Sequence, residues 1–210
     1  MNPGRFITVE GGEGAGKSTN LDFVQQVLER SGKRVVRTRE PGGTLLGEEV
    51  RGLLLGHREE GMDSTTELLL MFAARAEHIH KVIRPALQCG DWVLCDRFTD
   101  ASYAYQGGGR GLDIGPVRIL ESLVQGDLRP DMTLLLDLPV ETGLSRAGQR
   151  SVPDRFEQED LEFFQRVRGA YRDRAAAEPH RFRVVDASRT LPEVQEQIRL
   201  VMHGFLEQQP

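Results

Sequence analysis

The sequence predicts an α/β fold, one domain built on a five-stranded parallel sheet with helices on both faces. Three observations predict it. Short apolar runs alternate with longer helix-forming stretches along the whole chain, the signature of βαβ units. A glycine-rich loop links the first apolar run to the first helical stretch, where open parallel sheets bind ligands. The 210 residues show no internal repeat, low-complexity tract or linker that would divide them.

The elements follow in order. Phe6–Glu10 is an apolar run that stops at Gly11, a first strand. Ser18–Arg30 has helix-forming composition, with Gly32 placed to end it. Val35–Thr38 reads as a second strand and stops at the turn-forming Glu40-Pro41-Gly42-Gly43. Helices are expected at Leu45–Leu55 and Ser64–Gln88, joined by a polar linker around residues 57–62. Trp92–Asp96, Met132–Asp137 and Arg183–Asp186 supply the remaining strands. Helices Gly115–Gln125, Val140–Gln149, Leu161–Glu178 and Leu191–Gln208 fill the intervals, and right-handed crossovers distribute them over both faces.

Composition narrows the function. Hydrophobic residues at 39% and charged residues at 28% suit a folded, soluble chain. No apolar run approaches the roughly 18 residues of a membrane span. The first ten residues lack an apolar core with a small-residue cleavage site, so a cytoplasmic location is expected. A net charge of −5 argues against a nucleic-acid coat protein but permits a local anion site. Cys89 and Cys95 have no metal-type spacing and are read as reduced thiols. His78 and His80 lack the i, i+4 spacing of paired ligands on a helix and are read as structural.

The chemistry starts at Gly11-Gly12-Glu13-Gly14-Ala15-Gly16-Lys17-Ser18, which matches G-x-x-x-x-G-K-[ST] and sits between a strand and a helix. Glycines there let successive N–H groups point inward at phosphate oxygens, and the helix dipole favours the anion. Lys17 reaches the β- and γ-phosphates, the Ser18 hydroxyl ligates Mg²⁺, and Thr19 closes the phosphate-binding run. The fold is therefore expected to be that of P-loop NTPases. No N-K-x-D occurs to read guanine, which disfavours a GTP-dependent switch. Asp96 and Arg97 end the third strand at the ligand-binding edge. Asp96 suits Mg²⁺ through water, and Arg97 suits a phosphate. On the helix at Ser64–Gln88, Leu68, Phe72, Arg75 and Ile79 form one stripe. A core stripe interrupted by arginine needs a partner for the charge, and a pyrimidine stacked on Phe72 would supply a carbonyl.

These segments, with Arg39-Glu40-Pro41-Gly42-Gly43-Thr44, Leu70–Arg75, Ser102–Gly111 and Asp154-Arg155, resemble bacterial thymidylate kinases. Ala104-Tyr105-Gln106-Gly107-Gly108-Gly109-Arg110-Gly111 is the most specific of them. The resemblance runs through nearly the whole chain. It implies ATP-dependent phosphorylation of dTMP to dTDP, Mg²⁺ arriving with ATP, and a homodimer. Its acceptor-binding region spans residues 40–80 and its lid residues 144–157. It implies that Phe72 stacks on thymine and Arg75 hydrogen-bonds it. Arg51 and Arg97 would hold the acceptor phosphate. Ser102 and Gln106 would read the pyrimidine edge and nearby sugar, with Tyr105 against the deoxyribose. Glu13 would lie near the acceptor 3′-hydroxyl. No base occurs among Gly12–Ala15, so the family type implied is the one whose catalytic arginine lies in the lid. Arg150 is the expected candidate, with Arg146 toward adenine and Arg155, beside Asp154, anchoring the closed lid. Asp186-Ala187-Ser188 resembles the adenine-side loop. The competing readings are a kinase for another nucleotide or deoxynucleoside, and a P-loop regulator that does not turn over.

Overall fold

The computed structural model describes residues 4–148 and 155–208. Five parallel strands, β1 (Phe6–Glu10), β2 (Val35–Arg39), β3 (Trp92–Asp96), β4 (Met132–Asp137) and β5 (Phe182–Asp186), lie in the order β2-β3-β1-β4-β5. Thr8 of β1 faces Cys95 on one side and Thr133 on the other. The expected strands are all present; β2 and β5 each gain one residue, at Arg39 and Phe182.

Buried on both faces, the central strands read as continuous apolar runs. Ile7, Val9, Leu94 and Leu134 point to one side, against Leu21, Val24 and Leu28 of α1 (Lys17–Arg30) and Ile198 and Met202 of α9 (Leu191–Glu207). Phe6, Val93 and Cys95 point to the other, with Phe98, Ile79 and Ile83. On that same side Leu135 and Phe182 meet Phe164, Val167 and Tyr171 of α8 (Leu161–Ala177). The remaining helices are α2 (Leu45–Leu55), α3 (Ser64–His78), α4 (Arg84–Gln88), α5 (Thr99–Ser102), α6 (Ile114–Gln125) and α7 (Val140–Ala147). Among the described residues, no helix is long and apolar enough to cross a membrane.

Two segments depart from the expected pattern. The helix expected over Ser64–Gln88 is interrupted by a π-helical turn at Ile79–Ile83, where the Arg84 N–H donates to the Ile79 carbonyl. Pro85 explains it, because it cannot donate to the carbonyl four residues back and its ring crowds that turn. The motif Ser102–Gly111, assigned no element from sequence, is helical: α5 runs into a π-helical stretch, Tyr103–Gly109. Two of its glycines are required by packing. A Cβ on Gly108 would stand 2.8 Å from Ala170 Cβ, and one on Gly109 would stand 2.5 Å from the Phe163 ring. Helix α8 therefore lies directly on this segment.

β1 lies between β3 and β4; its own connection runs to β2 on one side and that of β3 runs to β4 on the other, so the winding reverses beside β1. The crevice at such a switch point, beyond the C-terminal strand ends, is where ligands bind.

Candidate active site

The loop after β1 wraps the start of α1. Helices α2, α3, α6, α8 and α9 each receive a side-chain cap, from Thr44, Asp63, Asp113, Asp160 and the Thr190–Glu193 capping box. Like the shorter α4, α5 and α7, helix α1 receives none: its N-cap is Gly16, in a left-handed conformation at φ +81°. Its first N–H groups are thereby left to an incoming anion. Lys17 curls back over the loop, Nζ lying 3.3 Å and 3.4 Å from the carbonyls of Gly11 and Gly12. Burial and the Arg97 charge push its ammonium pKa down, against the pull of Glu13, Asp96 and Glu10.

The underside of the loop meets α7 through glycine alone. A Cβ on Gly143 would stand 2.4 Å from the Glu13 carbonyl oxygen, and one on Gly14 would stand 1.9 Å from the Gly143 carbonyl oxygen. Gly143 carries no sequence signal, because its partner lies on the far side of the chain.

β3 ends in Asp96 and Arg97, and Arg97 adopts φ +67°, rare for a residue with a Cβ. Its Nη1 donates to the Gly11 carbonyl at 2.9 Å and to the Tyr171 hydroxyl at 3.1 Å. Its Nη2 donates to Glu13 Oε1 at 2.9 Å, and its guanidinium lies 4.7 Å from the Tyr105 ring centre. The Tyr105 hydroxyl donates to the same Glu13 oxygen at 2.7 Å. Burial pushes the Glu13 carboxyl pKa up, but Arg97, Lys17 and the Tyr105 hydrogen bond outweigh it and hold it below the usual range.

Behind this pair sits Glu10, fully buried, accepting from the Phe98 N–H and the Tyr171 hydroxyl, each at 2.7 Å. Burial, reinforced by Asp100, raises its pKa from 4.5 to about 8 despite Arg97, Tyr171 and the Phe98 amide. Glu10 and Tyr171 were not singled out from the sequence. They are 161 residues apart; Glu10 only opens the Glu10–Thr19 segment of the resemblance, with no role given to it, and Tyr171 belongs to none of its motifs.

Arg75 is buried, as its stripe implied, but its ionic partner is within the protein. Nε donates to Glu40 Oε2 at 2.7 Å, Nη1 and Nη2 to Ser102 Oγ at 3.1 Å each, and Nη2 to the Phe98 carbonyl at 3.3 Å. Glu40 also meets His78 Nδ1 at 2.9 Å. Five guanidinium N–H groups less these four bonds leave one, on Nη1.

Glu13, Lys17, Ser18, Arg51, Arg75, Asp96, Arg97, Ser102, Tyr105 and Gln106 all line one cleft of about 290 Å³. Gly14, Ala15 and Gly16 border it with them. Gly11, Gly12 and Thr19 belong to the loop or its helix without lining the cleft. Phe72 does not line it either. It is 1% exposed, packs with Leu68, Tyr103 and Val117, and carries the Arg75 guanidinium 4.5 Å from its ring centre. The apolar part of the wall comes from Leu55, Met71, Phe98, Ala101 and Phe156.

Arg146 donates to the carbonyls of Ala187 and Ser188, on the loop after β5. Arg155 does not line the cleft. Its Nη2 meets Glu67 at 2.6 Å and its Nε the Leu54 carbonyl at 2.9 Å. Its anchor is therefore Glu67, a residue the sequence reading passed over. Arg150 and Asp154 lie outside the described residues.

A divalent cation finds suitable donors here. Asp96 Oδ1 is buried with no hydrogen-bond partner, on the same cleft as the Ser18 hydroxyl. Among the described residues no three carboxylate, histidine or cysteine groups cluster as a metal cage.

The chain matches the family model described as thymidylate kinase over residues 9–198. It is 60% identical over 206 residues to the thymidylate kinase of Methylococcus capsulatus and 59% identical over 206 residues to that of Pseudomonas syringae pv. tomato, covering 98% of each chain in both comparisons. The crystal structure of thymidylate kinase from Ehrlichia chaffeensis superposes with a TM-score of 0.77 at 38% identity, covering 96% of this chain and 99% of that one. A matching model over most of the sequence, near-full-length relatives and a shared α/β fold give one conclusion: the chain belongs to the thymidylate kinase family.

Proposed function

We propose that this enzyme, whose family phosphorylates dTMP in nucleotide biosynthesis, transfers the γ-phosphoryl group of ATP directly to dTMP in the cleft described above. One observation carries the residue assignments. Lys17 and the uncapped α1 terminus meet Arg97, Arg51 and the Arg75–Ser102 pair in a single cleft at the sheet's switch point.

The acceptor is itself a phosphate, so the reaction needs alignment and charge neutralisation more than a strong base. Lys17 and the loop N–H groups hold the ATP phosphates. Arg97, fixed by Gly11, Glu13 and Tyr171, bridges toward the acceptor phosphate with Arg51. The remaining Arg75 N–H donates to a base carbonyl. Phe72 backs Arg75 by a cation–π contact, which fixes the guanidinium's plane. Glu13, held below the usual carboxylate range, is charged and accepts from the acceptor sugar. Tyr105 beside it limits what that sugar can carry. Ser18 and, through water, Asp96 would hold the Mg²⁺ brought by ATP, which would supply neutralisation of phosphate charge.

Arg155 is committed to Glu67 and Leu54, and no base occurs in Gly12–Ala15. The catalytic lid arginine is therefore assigned to Arg150, with Arg146 on the adenine side. Ile119 and Leu123, 68% and 78% exposed on α6, form an apolar face suited to a second copy of the chain. A cytoplasmic homodimer is the corresponding cellular form. Coupled ADP release with dTMP, dUMP, UMP and dCMP tests the assignment. Turnover should require an acceptor and favour dTMP, whereas equal efficiency with UMP would overturn it.

A further inference from the structure

Glu67 lies at the fourth position of α3, fully buried, and does not line the cleft. Three residues from two segments remote in sequence converge on it. Gln106 Nε2 donates to its Oε1 at 2.8 Å, and Arg155 Nη2 donates to its Oε2 at 2.6 Å. Arg110 Nε lies 3.4 Å and 3.3 Å from the two oxygens. Arg110 is balanced separately by Glu159 at 2.5 Å. Gln106 does line the cleft, so Glu67 stands directly behind a residue the acceptor meets.

An amide side chain has a donating and an accepting end, and what lies behind it decides which end turns forward. A carboxylate paired with guanidiniums accepts hydrogen bonds and donates none. Glu67 therefore claims the Gln106 NH₂ group, which leaves the carbonyl Oε1 as the end turned away. Arg75 then presents its remaining N–H as a donor and Gln106 its carbonyl as an acceptor, both residues lining the cleft. A pyrimidine with a 4-carbonyl and an N3–H matches that pair. Cytosine, with a 4-amino group and an unprotonated N3, opposes both.

We propose that Glu67 is a positioning residue for base selection. By fixing the direction of the Gln106 amide it makes the pocket choose 4-keto over 4-amino pyrimidines, and Arg155 serves that choice by holding the far oxygen of Glu67. The inference rests on the acceptor reading given above.

Glu67→Gln tests it, because the outcome depends on orientation and not on size. Arg155 keeps the oxygen of the introduced amide at the Oε2 position, so the new NH₂ group falls opposite Gln106 and reverses it. The kcat/KM ratio of dTMP to dCMP should fall at least about tenfold, as expected when a site's polar groups are mispaired with its substrate. The change should appear in KM for the pyrimidine nucleotide, with KM for ATP moving by less than about twofold. Arg155→Lys, which keeps a charge on the outer oxygen, should retain the parental ratio. If Glu67→Gln does not fold, the charge-balanced pair Glu67→Gln/Arg110→Gln replaces it, because Arg155 still holds the amide oxygen, and the ratio should still fall. An unchanged ratio in whichever of these two variants folds, even with a lowered Tm, reduces Glu67 to a structural role and overturns the proposal. Failure of the parent chain to phosphorylate dTMP would instead remove the acceptor reading, and the inference with it.

Discussion

Gly143→Ala should separate activity from stability, because the methyl group it adds strikes the phosphate loop. The new Cβ would stand 2.4 Å from the Glu13 carbonyl oxygen, where ordinary contacts begin at 3.4 Å, so loop and helix must part by 1.0 Å. Nothing flexible is available to absorb this, since the atom struck is backbone. A displacement of about 1 Å in a catalytic array costs on the order of a hundredfold in rate. Stability should move far less. Alanine gains up to about 1 kcal/mol over glycine inside a helix, which offsets part of the roughly 1–3 kcal/mol of overpacking. The net change should stay within about 2 kcal/mol, or under about 8 °C in Tm for a chain of this size. Coupled ADP release gives kcat and both KM values, and differential scanning fluorimetry gives Tm. A kcat within about threefold of the parent would show that the loop tolerates the shift, and would refute the argument that its position is set by this contact.

Other expectations follow from the same geometry. Lys17→Ala should lower kcat by at least about a hundredfold, because no other lysine lies near the loop; near-parental turnover would remove Lys17 from the phosphate site. Arg150→Ala should lower kcat by at least about a hundredfold with little change in KM for dTMP, and an undiminished kcat would return the lid role to another residue. Glu10 has a folded-state pKa of about 8 against an ordinary 4.5, so the native state binds its proton more tightly than the unfolded chain. That contribution is complete below the unfolded value and disappears as pH rises through the folded one. Urea unfolding at about pH 5.5 and about pH 8.5 should therefore show a loss of stability in the parent that Glu10→Gln lacks. Equal slopes in the two proteins would contradict it.

The parts legible in the sequence are those whose chemistry is contiguous. Eight consecutive residues carry the phosphate loop, and alternation of short apolar runs with helical stretches carries the sheet. The stripe Leu68, Phe72, Arg75, Ile79 correctly announced burial. Periodicity says that a face is covered, however, not by what. Phe72 proved to lie against Arg75 and the core, and the charge of Arg75 proved to be met by Glu40. Pro85 was a visible sign that the long helix could not be regular, and the π-helical turn lies just ahead of it. Residues whose roles depend on distant partners left no sign. Glu67 meets Arg155 across 88 residues, Tyr171 meets Glu10 across 161, and Gly143 matters only because the phosphate loop passes over it. Each is an ordinary residue of a helix until the chain is folded.

The uncapped start of α1 has a consequence for how this enzyme can be made more heat-resistant. On the proposed reading the nucleotide phosphates would perform the service that Thr44 or Asp160 performs for another helix, so part of the helix's stability would arrive only with the ligand. Occupancy and melting temperature are thus linked, and each tenfold rise of free nucleotide beyond its Kd adds about 1.4 kcal/mol. The usual remedy for a bare helix end, an Asp or Asn at the N-cap, is closed here on two counts. Position 16 holds a left-handed backbone that favours glycine, and a carboxylate there would claim the N–H groups that the substrate needs. A thermostable descendant of this chain should therefore carry its improvements elsewhere and leave this helix end dependent on its ligand.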